Sequence, residues 1–69
     1  MNEQMKAEIE ELMECHHEAR LDLDQWAPRT VVHTLATRAS EDIESGDDDM
    51  LNHAEHVLEL LKHYSEEVR

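Results

Sequence analysis

The chain has 69 residues, 39% hydrophobic and 35% charged, with six lysines and arginines against eighteen aspartates and glutamates, a formal net charge of −12. That length allows one domain with a small core, and such domains often depend on a metal, disulfides or a partner subunit. The charge opposes phosphate backbones and anionic membranes, so no direct nucleic-acid or membrane partner is expected and encounters with basic protein surfaces are favoured.

There is no Phe, one Trp and one Tyr, so the core must be built from Leu, Val, Ile, Met and Ala. Gly46 and Pro28 are the only punctuators, which argues for helices rather than short strands. Cys15 is the single cysteine and excludes an internal disulfide. A charged stretch followed by an apolar one is missing, so neither a signal peptide nor a membrane span is expected, and the reading is a soluble, cytoplasmic protein.

The first predicted helix spans about 3–26. Asn2 suits its N-cap, and Glu3 lies favourably at the positive end of the dipole. Met5, Ile9, Leu12, His16, Ala19, Leu23 and Trp26 recur at spacings of 4, 3, 4, 3, 4 and 3, the repeat that keeps one stripe against a partner helix. Glu10, Glu14 and Glu18 fall outside that arc. Leu21 lies opposite it, so either the helix loosens near Asp22 or Leu21 makes an exposed contact.

Pro28 forces a boundary and suits the first turn of a second helix, about 28–45. Val31, Val32, Leu35, Ala36, Ala39 and Ile43 form its apolar stripe, and Gly46 can close it in the left-handed conformation. Of Asp47, Asp48 and Asp49, one then caps a third helix, about 49–68, and the others place negative charge at its positive end. Its stripe is Ala54, Val57, Leu61, Tyr64 and Val68, widened by Met50, Leu51 and Leu58, while Lys62, His63 and Arg69 suit its C-terminal end. Leu60, with His56, His63 and Glu67, falls on a second stripe and reads as a stray exposed residue. Both connections are short, so sequential helices should be antiparallel neighbours. The expected fold is all-α: a short three-helix bundle or helical hairpin in a single domain over 1–69, homodimeric through coiled-coil-like seams.

Six histidines are a surplus for this length. Ligands on a helix must stand at i and i+3 or i+4. Glu14 with His17 and His53 with His56 satisfy this, but a di-metal carboxylate bundle needs further glutamates directed inward, and Glu14 and His17 point away from the apolar arc. A simpler zinc or copper site would draw on Cys15, His53 and His56, yet scattered histidines do not define one, and no cofactor is expected. His16 reads as a histidine bonded across an interface, fixing register, or as a pH switch. Cys15 beside His16 and His17 does not make a nucleophile with its base, because helix neighbours point about 100° apart. The sequence therefore reads as a non-enzymatic acidic interaction module, an adaptor or inhibitor that binds a basic protein surface and mimics nucleic-acid phosphates. The carboxylates expected to do so are Glu10, Glu14, Glu18, Asp47, Asp48, Asp49, Glu55 and Glu59. The alternatives are a histidine-based metal- or pH-responsive protein and a structural oligomer whose acidity keeps it dissolved.

Overall fold

The computed structural model describes residues 2–68; Met1 and Arg69, including the favourable helix-end charge expected of Arg69, lie outside the described residues. Three α-helices and one 3₁₀ turn follow in order: α1 (Glu3–His17), the turn Leu23–Gln25, α2 (Pro28–Ser45) and α3 (Asp48–Glu67), with no strand among the described residues.

α1 starts as its sequence dictates: Asn2 Oδ1 accepts the Met5 N–H at 2.8 Å. Ile9 and Met13 are fully buried, and Met5 and Leu12 pack partly against the same core. The helix does not reach residue 26. It ends at His17, where Glu18 turns left-handed at φ 55° and its N–H bonds to the Glu14 carbonyl at 2.9 Å. The stripe from Met5 to Trp26 is therefore not one helical seam; Ala19, Leu23 and Trp26 lie beyond the end of α1.

Three contacts compensate for the early stop. Leu23 buries its side chain to 4% exposure, and its N–H donates to the Glu10 carboxylate at 2.9 Å. Gln25 Oε1 accepts the Asp22 N–H at 2.9 Å, which shapes the 3₁₀ turn. The rings of His17 and Trp26 stack at a tilt with centroids 5.0 Å apart. Leu21 is left 39% exposed, in keeping with a chain that has left the helix before Asp22.

Ala27 is extended, as a residue before proline must be, and Pro28 opens α2. Val31, Leu35 and Ala39 are its buried apolar residues, joined by the polar Thr34 and Asp42. Gly46 closes the helix at φ 72°, and a Cβ there would meet no atom within 4 Å, so glycine is required by backbone conformation alone. Asp47 Oδ1 then accepts the Asp49 N–H at 2.9 Å and starts α3. α2 and α3 pack along their length as an antiparallel hairpin, and α1 lies against one side of it.

On α3 the buried residues are Ala54, Val57, Leu60 and Tyr64. Leu60 is thus 0% exposed and not a stray surface residue, while Leu58 and Val68 are each 44% exposed. The reason is tertiary: α3 faces both α2 and α1, which moves its buried arc toward Leu60. No helix among the described residues is long and apolar enough to cross a membrane.

Two expectations follow from this core. Leu60→Ala should cost about 2–5 kcal/mol in denaturant unfolding, as for other wholly buried leucines, whereas Leu21→Ala should stay within about 0.5 kcal/mol. Tyr64, buried and close to Asp24, has its phenol held above its ordinary value of 10.0, first by desolvation and then by that negative charge. A folded-state value raised in this way contributes stability that is full below the unfolded value and is lost as pH rises through the folded one. Because Tyr64 is the only tyrosine, phenolate absorbance should titrate at higher pH in native than in denatured protein. Coincident curves would show that it is solvated.

Candidate functional site

Three groups of polar residues merit attention as sites: a histidine cluster beside α1, the histidines around Trp26, and the carboxylates on the outer surface.

The first is organised by Asp42, whose side chain is 5% exposed. His53 Nδ1 donates to its Oδ2 at 2.6 Å, and Arg38 Nε lies 3.5 Å from its Oδ1, one turn back on α2. A carboxylate this far from water needs such partners, because an unpaired buried charge is strongly unfavourable. Nearby, His56 Nε2 donates to Glu8 Oε2 at 3.0 Å, tying α3 to α1 at the surface. Both histidines, with Cys15, line an open groove between α1 and the hairpin. Each histidine is already committed to a carboxylate, and among the described residues no group of three His, Cys, Asp or Glu side chains is placed to hold a metal ion.

The second group departs from the expectation that His17 points away from the bundle. His17 Nε2 and Thr34 Oγ1 are hydrogen-bonded at 2.7 Å, and the same ring packs on Trp26. His17 itself remains exposed despite these contacts, as do its neighbours His16 and Cys15. His17 therefore ties the last turn of α1 to α2.

The carboxylates divide by role. Glu10 is half-buried and holds the Leu23 N–H, and Asp47 caps α3, so both act within the fold. Glu14 is exposed on α1, and Glu18 is the residue that ends it. Asp49 is exposed in the first turn of α3 but lies about 100° round the helix from Asp48. Asp48, Glu55 and Glu59 do fall together. With Glu66 they stand within about 40° of one another on the outward face of α3, at rises of about 10, 6 and 10 Å. All four are exposed, and the exposed Lys62 borders the row between Glu59 and Glu66, about 20° round the helix from Glu55. Glu66 was not among the expected residues; its offset of seven from Glu59, two full turns, is the signal that places it in the row.

Burial decides which of the two histidine–carboxylate hydrogen bonds matters more. A double-mutant cycle with Asp42→Asn and His53→Gln should give a coupling of about 1–2 kcal/mol. The corresponding cycle at Glu8 and His56, where both side chains are a third or more exposed, should give under about 0.5 kcal/mol. Equal couplings would mean that Asp42 is as hydrated as Glu8. Compared with known proteins, the chain matches no family model, no curated protein and no solved structure.

Proposed function

We propose that the chain is a non-enzymatic helical interaction module, homodimeric and cytoplasmic, that engages a basic protein surface as an adaptor or inhibitor. In this reading its carboxylates occupy positions that nucleic-acid phosphates would otherwise fill. The observation that carries the reading is the row Asp48, Glu55, Glu59 and Glu66, exposed along one rigid helix. A helix fixes the spacing of such charges before any partner arrives, so little ordering cost remains to be met on binding. The formal charge of −12 supplies the long-range attraction that brings a basic surface into register with it.

Glu14 on α1 and Glu18 just past its end extend the negative field without belonging to the row. Glu10 and Asp47 contribute through the scaffold, since removing either releases a backbone N–H that it now satisfies.

The test begins with capture of basic proteins from a lysate by the immobilised chain at low salt, followed by displacement with duplex DNA. For a basic protein so identified, the triple variant Asp48→Asn, Glu59→Gln, Glu66→Gln should bind about tenfold more weakly, at roughly 0.5 kcal/mol per exposed charge pair. Its salt dependence should also flatten. A triple change of equal charge at Glu3, Glu14 and Glu41 should cost distinctly less. Equal losses from the two triples would show that only net charge matters, and failure to capture any DNA-displaceable basic protein would contradict the reading altogether.

A further inference from the structure

α1 covers one side of the α2–α3 hairpin and leaves the other bare. On the covered side Thr34 meets His17, His56 meets Glu8, and Leu60 is wholly buried. Val32 and Ile43 stand about 160–180° round α2 from Thr34, and Leu58 about 160° round α3 from Leu60. These three are 36%, 51% and 44% exposed, so the uncovered side presents large apolar side chains to water. Ala36 lies between them on α2 and keeps the surface shallow enough for close approach.

The rim of this face is charged in a particular order. Arg29 and Lys62 flank it at the open end of the hairpin, and Glu44 and Glu55 flank it toward the Gly46 turn, all exposed. A face basic at one end and acidic at the other matches an inverted copy of itself. A uniformly basic surface would set like charge against Arg29 and Lys62.

We propose that this open face binds a second copy of the chain, with each helix antiparallel to its own counterpart. The twofold axis crosses the hairpin at the level of residues 37–38 on α2 and 57–58 on α3. Those two levels coincide in the fold: starting from the Asp42–His53 contact and moving equally along both helices, one arrives at them together. The apolar residues and the charges give the same axis independently. Val32 then meets Ile43 of the partner subunit, and Leu58 lies against Leu58 of the partner subunit. Arg29 reaches Glu44 of the partner subunit, and Lys62 reaches Glu55 of the partner subunit, so that in the dimer Asp48, Glu59 and Glu66 are the carboxylates of the row that face a basic protein. The midpoints of all four pairs fall within about one residue of the axis, by the even rise of the helices. The arrangement is isologous, so each contact occurs twice.

The inference names the surface for the homodimer of the preceding reading, and sedimentation separates the two. The wild-type chain should show a concentration-dependent species of twice the 8.1 kDa chain mass. Leu58→Glu should abolish that species and keep the helical circular dichroism, because Leu58 is already 44% exposed within one chain. Lys62→Glu should weaken association at least tenfold, and Lys62→Glu with Glu55→Lys in the same chain should restore it. An 8.1 kDa species alone at every concentration up to millimolar would overturn both the dimer and its surface. A dimer indifferent to Leu58→Glu, or a charge swap without recovery, would overturn this surface and leave dimerisation standing. Should Leu58→Glu fail to fold, the charge-swap pair decides alone.

Discussion

The constraint behind this molecule is that a two-helix hairpin has two sides and the chain has one further helix with which to cover them. α2 and α3 form the extended contact of the fold, held in register by the Gly46 turn and by Asp42 reaching across to His53. α1, stopped at His17, is just long enough to close one side through Ile9 and Met13. The return of Leu23 into the core and the stacking of Trp26 on His17 complete that closure without reaching the opposite side. The distribution of exposed apolar residues, and the location of the acidic row on the outermost face of α3, both follow from this arrangement.

Polar groups near the covered side act as joints. Thr34 and Asp42 are buried on α2, and each is matched to a histidine from another helix. Part-buried hydrogen bonds of this kind add only modestly to stability when made, but leaving the buried partner unmatched costs more than the bond contributes. They therefore discriminate against sliding of the helices: a shift of one turn along α2 would strand Asp42 without His53. The same contact fixes the levels of α2 and α3 on which the proposed twofold axis depends.

Much of the architecture was legible in local chemistry. Asn2, Pro28 and Gly46 set helix ends through backbone constraints that hold in any fold, and all three act where the sequence placed them, while of the three aspartates expected to start α3 it is Asp47 that caps it. The end of α1 was not legible, because a left-handed Glu18 lacks the glycine or asparagine that normally announces such a cap. The choice there was made by distant contacts, those of Leu23, Glu10 and Trp26. Leu60 was misplaced for a similar reason: α3 has two apolar stripes, and which of them faces a neighbour depends on where α1 packs. At the candidate site, Glu55 and Glu59 were legible as surface acids, but separating the structural Glu10 and Asp47 from the outward row required their hydrogen bonds. Asp42 escaped notice because nothing in its local sequence distinguishes it from the exposed acids around it.

The central claim, that the side of the hairpin opposite α1 is closed by an inverted second copy, can be tested by methyl contacts in a mixed sample of isotope-labelled and unlabelled chains. Val32 and Ile43 lie eleven residues apart on one helix, about 16 Å along its axis, beyond the reach of a proton–proton contact within a chain. The account predicts a labelled-to-unlabelled cross-peak between these two methyl groups, with another between Leu58 and its counterpart. Absence of both in a sample where sedimentation shows the dimer, or cross-peaks that instead join α1 to α1, would contradict it.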